Sequence, residues 1–547
     1  MNAESNDRIV FRKQDTIGAH DAEEDGGFLA ECFVDTGDLA VLRDFTRSER
    51  IVVGRTGTGK SALLLRLLDL EDRAIEVKPE NLALSFISNS TILRFFEELG
   101  VNLGIFYKLI WRHAFCVEIL RKHFNKSPGN ERVSLLEKVR AFFKGGQYAS
   151  ALQYLERWGD RFWEETEYRI KEITTKVEDS LKGAVKGDLL SAGLSSELAT
   201  SLSEERKAEI IQRAQRVVND AHVPQLNQIL ELVDAVLDDE QKKYLIVIDR
   251  LDEAWVDDSL RYKLIMALID TVKDFRRVKR AKVVISIRLD LLHRVYANAR
   301  TAGFQEEKLQ SLYLRMQWTK DDLTNLIDAR VNRLFRDRYA KKRTLHHDDI
   351  LVGSKKGESP MDYMLARTFM RPRDIIVFFN TCIAAAEGKS RISMKDIHAC
   401  ERDYSTARLQ SLADEWFSDF PNLRKAAEAL LTGRPTCGKC TSVMPPGVVE
   451  SACLELSTSG LADDDLVKAA ALVVHEGRPA LEMVRTAVRV FHRVGLLGVK
   501  LTATEKTSWF SDSWRQLDGS TISETTSVEV HPMFCAALSI AVSSNAQ

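Results

Sequence analysis

Residues 51–67 read IVVGRTGTGKSALLLRL, and the reading of this stretch decides the fold. Gly54, Gly59, Lys60 and Ser61 fit G-x-x-x-x-G-K-[ST], a pattern that chance produces about once per 30,000 positions at average residue usage. Ile51–Val53 predicts a buried strand and Ala62–Leu68 the opening of an apolar helix, which is the strand–loop–helix setting the pattern needs. Gly54, Gly57 and Gly59 free the backbone to turn, so that the N–H groups of Gly54, Arg55, Thr56, Gly57, Thr58 and Gly59 converge on a polyphosphate. The helix beginning near Lys60 adds its positive end. Lys60 then reaches the β- and γ-phosphates, and the Ser61 hydroxyl takes one position on Mg²⁺.

A second stretch, YLIVIDRLDEAW at 244–255, supplies the matching carboxylates. An apolar run carries Asp249 to the C-terminal end of a strand, where α/β sheets hold their ligands, and a carboxylate there orients the Mg²⁺ shell opposite Ser61. Asp252 and Glu253 follow; either can polarise an attacking water, and Glu253, with the longer reach, is the first choice. The alternative is that both cap the next helix. The strand VVISIR ends on Ser286 and Arg288 at the same kind of sheet edge, with Arg288 either a phosphate contact or half of a salt bridge. Arg371 and Arg373, in RPRD before a predicted helix, are candidates to reach the nucleotide from the other side.

The remainder of the chain is organised around these motifs. At 547 residues it has room for several domains. Its net charge of −2 excludes a generic polyanion binder. Eight scattered Cys and a polar start predict a cytoplasmic protein with reduced thiols. The most apolar stretch, 101–120, carries Lys108, Arg112, His113 and Glu118, so no membrane span is predicted. Strands alternate with helices up to Trp318, which predicts an α/β fold with a mainly parallel sheet. The expected divisions are a loose polar leader (1–27), the two halves of an NTPase core (28–84 and 242–318), a helical insertion between them (85–241), a helical lid (319–416) and a winged-helix-like domain (417–547). Within the insertion, residues 157–182 predict one long amphipathic helix.

Weaker signals are a Cys437–Cys440 pair with zinc-ligand spacing but no second pair, and two basic faces. Arg485, Arg489, His492 and Arg493 recur at helical spacing in the C-terminal part, and Arg330, Arg333, Arg336, Arg338 and Lys341–Arg343 form a further basic patch. Each reads either as a nucleic-acid surface or as a solvated charged face.

Together, GRTGTGKSALL, IDRLDEAW, the Ser286–Arg288 strand end and RPRD resemble a set of prokaryotic P-loop ATPases. These are related to the KAP and STAND NTPases of the AAA+-like ASCE division. The resemblance runs over residues 28–416. It implies ATP with Mg²⁺ as cofactors, a lid, nucleotide-driven switching or homo-oligomer assembly, a protein effector as partner, and a place in bacterial anti-phage defence. A slow nucleotide-gated scaffold and an ATP-regulated DNA-binding protein are the alternatives. The chain departs from these relatives at Arg250, where AAA+ proteins carry Glu. It has a soluble insertion where KAP relatives carry membrane helices, and it lacks the C-terminal repeats of STAND proteins.

Overall fold

The computed structural model describes residues 10–81, 91–126, 146–159, 223–298, 306–336, 344–354, 357–433 and most of 441–540, with scattered positions between 175 and 212. They form two compact units. The sheet unit is Asp35–Arg55 with Lys60–Met316; the helical unit is residues up to Val34, Thr56–Gly59 and Gln317 onward.

The sheet unit is built on five parallel strands, β1 (Ile51–Gly54), β2 (Ala74–Glu76), β3 (Tyr244–Ile248), β4 (Ala281–Arg288) and β5 (Tyr313–Arg315), in the order β2-β3-β4-β1-β5. The unbroken apolar runs of β1, β3 and β4 are buried along their length, as expected of parallel strands covered on both faces. A parallel sheet of this order is consistent with the expected α/β core. Its register has one decisive feature: Ile285 of β4 stands beside both Ile51 of β1 and Ile248 of β3, so the C-terminal ends of these three strands lie side by side.

Around the sheet run α1 (Lys60–Leu70), α2 (Gly104–Phe124), α3 (Val223–Val236), α4 (Asp258–Asp274) and α5 (Leu289–Asn298). Asp257 caps α4, accepting from Leu260 N at 3.2 Å. Helix α2 is the apolar stretch at 101–120, and most of its residues are buried. It packs on α4, with Trp111 Nε1 donating to Leu264 O at 2.9 Å and Lys108 paired to Asp270 at 2.6 Å. Its end meets the sheet, where His123 Nδ1 lies 3.0 Å from the Tyr244 hydroxyl. The described part of the insertion is therefore core of the sheet unit. Among the described residues no helix is long and apolar enough to cross a membrane. The helix expected at 157–182 lies, beyond its first residues, outside the described residues; the helix that can be seen there, Gly146–Trp158, ends as that one was to begin.

The helical unit packs α6 (Lys320–Arg336), α7 (Pro372–Ala385), α8 (Met394–Glu415), α9 (Leu423–Leu431), α10 (Pro446–Ser459), α11 (Asp465–Glu476) and α12 (Ala480–Val494) around one core that runs from Phe11 to Ile540. Pro372 opens α7 at its first turn, and a Ser393–Asp396 capping box opens α8. The GLLGVKL run becomes β6 (Leu497–Lys500), which pairs antiparallel with β7 (Ser527–Val530). A two-residue strand at Thr441–Ser442 adds to the far side of β7.

The expectation of a loose leader fails from Val10 onward. Phe11 and Ile17 are buried in the core of the helical unit. Asn380 of α7 clasps the chain, accepting from Ile17 N at 2.9 Å and donating to Gly18 O at 3.0 Å. Asp25 and Arg330 form a buried ion pair. Two apolar residues in a polar, acidic stretch are too weak a pattern to announce this.

Candidate functional site

In the sheet unit, the sequence-predicted groups gather where β1, β3 and β4 end. Lys60 is buried in the first turn of α1 and folds back over the loop, donating to Gly54 O at 3.1 Å and Arg55 O at 3.0 Å. Burial pushes its ammonium down to about 8, with the nearby Asp249 opposing that shift. Ser61 follows on the same turn. Asp249, one residue past β3, accepts a short hydrogen bond from Ser286 Oγ on β4, a direct consequence of the register. Ser286 is thus a hydrogen-bond partner that orients the Asp249 carboxylate.

The next residue, Arg250, takes a left-handed backbone with φ of 57°, unusual for a residue with a side chain. It starts a tight turn, closed by Glu253 N to Arg250 O at 3.2 Å. That turn is held from below by a residue the sequence reading passed over. Arg261, buried on α4, donates to Glu253 O at 2.9 Å and Asp252 O at 3.3 Å. No spacing rule marks such a side chain-to-backbone contact eight or nine residues away. Asp252 and Glu253 differ in their partners. Asp252 accepts from Arg288 Nη1 at 3.1 Å, while the Glu253 carboxylate, about half exposed, lies 3.6 Å from Arg250. Arg288 is further fixed by a two-point pair with Asp290, both bonds 3.0 Å, and Arg294 shares the same carboxylate at 2.8 Å. The salt-bridge alternative for Arg288 is therefore realised.

The tip of the loop, Thr56–Gly59, belongs to the helical unit. Gly57 has φ of +79°, and a Cβ there would come within 2.6 Å of the Cβ of Arg373, so glycine is required twice over. Arg371 is buried and pairs with Asp374 through Nε at 2.9 Å and Nη2 at 3.1 Å, while its Nη1 donates to Thr56 O at 2.7 Å. Burial works against the Asp374 charge, but Arg371 and Arg408 hold its carboxyl below the usual range. Arg373 donates its backbone N–H to Gly57 O at 3.3 Å, and its guanidinium lies 3.7 Å from Asp21. Trp318, absent from the sequence-derived candidates, donates its indole N–H to Thr58 O at 2.8 Å.

On both basic faces the described arginines have partners within the protein. Arg330 is spent on Asp25, and Arg333 and Arg336 both pair with Glu31 on the short helix Gly26–Cys32. In α12, His492 is buried and Arg493 lies over the rings of Trp416 and Phe420. Arg485 donates to Ile522 O at 3.0 Å, and Arg489 pairs with Asp465 at 3.2 Å. Arg338 and Lys341–Arg343 of the second patch lie outside the described residues. Cys437 and Cys440 lie outside the described residues, among which no cluster of metal-ligating side chains occurs.

Comparison with known proteins gives three findings. A family model described as the FunZ-associated C-terminal helical domain matches residues 321–413, the span from α6 to α8. The 80.3 kDa protein ascribed to transposon gamma-delta of Escherichia coli (strain K12) is 24% identical over 443 residues, which cover 78% of this chain and 55% of that relative. The chain thus spans about half the length of the curated relative it matches. Among solved structures, a Walker-type ATPase of Pyrococcus abyssi aligns over 97% of this chain and 98% of its own at 10% identity, with a TM-score of 0.32.

Proposed function

We propose that the chain is an ATP-binding, Mg²⁺-dependent P-loop ATPase whose turnover drives conformational switching or homo-oligomer assembly. One observation carries this reading: Lys60 folded over the end of β1, with Asp249 and Ser286 hydrogen-bonded to each other at the ends of β3 and β4. The residues fit the ligand. The ammonium of Lys60 is satisfied by loop carbonyls and is held at lowered pKa by burial, a state that a polyphosphate relieves. The left-handed Gly57 and Gly59 supply the backbone form of an anion-cradling loop.

In this reading Gly54–Gly59 and Lys60 hold the phosphates, and Ser61 and Asp249 hold Mg²⁺. The metal, when bound, neutralises charge developing on the transferred phosphoryl group. Glu253 activates water, because the Asp252 carboxylate is committed to Arg288. Arg288 contributes positive charge at the sheet edge. Arg373 is the lid arginine assigned to the nucleotide, since Arg371 is spent on Asp374 and Thr56. The helices and antiparallel strands after residue 417 support a winged-helix-like domain that docks a protein effector.

Kinship with KAP and STAND NTPases rests on the motifs, and a role in anti-phage defence rests on that kinship. The transposon to which the relative is ascribed supports a setting among mobile elements. The slow scaffold is the second reading, favoured by Arg250 in the position where AAA+ proteins carry their catalytic Glu. Lys60→Ala tests the first claim: the variant should lose ATP binding and hydrolysis while keeping its melting temperature. A Lys60→Ala protein that binds and hydrolyses like wild type would end this reading.

A further inference from the structure

The tip of the loop is held on its carbonyl side. When a turn points successive N–H groups at an anion, its carbonyls face the other way and must find donors of their own if they are to be covered. Here consecutive carbonyls each have one: Thr56 O from Arg371 Nη1 at 2.7 Å, Gly57 O from Arg373 N at 3.3 Å, and Thr58 O from Trp318 Nε1 at 2.8 Å. The donors sit on fixed ground. Trp318 directly precedes α6 and Arg373 lies in the first turn of α7. Arg371 is locked by Asp374, which also accepts from Phe369 N at 3.1 Å and Arg408 at 3.3 Å. Gly57 lies flat against the Arg373 stem, leaving no space for the loop to slide.

We propose that Trp318 and Arg371 are positioning residues of the nucleotide loop, a carbonyl clamp that pre-forms its N–H cradle before any ligand arrives. For affinity the inference rests on the nucleotide-binding reading above; for loop order it stands without it. Neither side chain touches a phosphate in this scheme. Their work is to remove, ahead of binding, the conformational entropy that a glycine-rich loop otherwise loses on closing around its ligand. The clamp also makes the lid a determinant of affinity, because a shift of α6 or α7 withdraws donors from the loop rather than from the nucleotide.

Trp318→Phe in the full chain is the test, as it keeps the ring and removes the donor. One readout needs no nucleotide: tryptic cleavage after Arg55, at the start of the tip, should speed up roughly fivefold, the factor expected for one lost hydrogen bond. Cleavage elsewhere in the helical unit should not change. The other readout is displacement of a fluorescent ATP analogue by ATP, where Kd should rise roughly fivefold while turnover at saturating ATP stays within about twofold. A side chain that merely props the lid would raise cleavage throughout the unit, and that result counts against the clamp. Arg371→Lys keeps a charge beside Asp374 and gives up the bond to Thr56; it should reproduce the loop-specific cleavage even if Trp318→Phe proves unstable. Unchanged cleavage after Arg55 in both variants overturns the proposal. If wild type binds no ATP analogue, the functional reading falls, and the cleavage arm still decides the clamp.

Discussion

Arg288, at the end of a predicted strand, and Arg371, just before a predicted helix, are both candidates from sequence to reach a nucleotide. The structure sets them in different situations. Arg371 is buried, braced at two points by Asp374 and close to Glu415, and directed at a backbone carbonyl. Arg288 is about one-fifth exposed, at the open end of the sheet, held between Asp290 on one side and Asp252 on the other. A buried charge whose every bond is internal organises the fold. A partly exposed charge that shares the Asp252 carboxylate is the one proposed above to act on a ligand. The sequence motif does not separate these cases; each arginine has one buried partner, and the exposure of the second carboxylate differs, Asp252 being 39% exposed and Glu415 7%.

The most severe way to break the comparison is to remove the buried carboxylate. Asp374→Asn leaves Arg371 and Arg408 without their shared counter-charge in a site closed to water, and losing one partner of such a pair costs about 3–5 kcal/mol. The helical unit should melt well below wild type, read by circular dichroism or calorimetry. A variant that melts with wild type would show that Arg371 is not held by charge, and its resemblance to Arg288 would be restored.

The next effect falls on the other arginine's partner. If Arg288 engages Asp252 so that Glu253 alone serves the water, Glu253→Gln should keep ATP binding and lose turnover by about a hundredfold, the lower end for a general base. Asp252→Asn should cost much less, since it loosens a half-exposed ion pair worth about 1 kcal/mol or less. Steady-state hydrolysis with separately measured binding decides it. The reverse order of losses would make Asp252 the base and Arg288 its activator.

What the sequence made legible follows the range of the interactions. The loop, the strands at Ile51, Tyr244 and Val283 and the place of Asp249 depend on patterns within a dozen residues, and their ends agree to within two residues. Asp249–Ser286 needed only the strand order. The clamp did not come through: Trp318 and Thr58 are 260 positions apart, and no periodicity marks an indole destined for a loop carbonyl. The partners of the basic faces were hidden for the same reason. Arg336 and Glu31 stand 305 positions apart, so a row of arginines on one helix looked open until its acidic partners arrived. Arg261 is intermediate. It follows the cap of α4 by four residues, and only the left-handed turn at Arg250 brings the carbonyls of Asp252 and Glu253 onto it.

The smallest effect concerns a third cation–carboxylate contact, between His347 and Asp328. His347 places Nδ1 2.8 Å from Asp328 Oδ1, and its backbone N–H donates to the same oxygen at 2.6 Å. The hydrogen bond to Asp328 raises the His347 pKa against the opposing effect of burial. For Asp328, burial pushes upward, but the bonds from His347 prevail and hold it lowered. Because the folded histidine binds its proton more tightly than the unfolded one, its contribution is fully present below the unfolded value of about 6.5 and is lost as pH rises through the raised folded value. The lowered Asp328 acts with the opposite sign and lies far below, its share lost only as pH falls through its folded value. Between about pH 6 and 8 the helical unit should therefore lose on the order of 1 kcal/mol or less through this pair. His347→Gln should flatten that slope in urea titrations at both pH values. If the slope persists unchanged in the variant, the pH dependence belongs to another group, and this mostly buried pair contributes nothing that titration can detect.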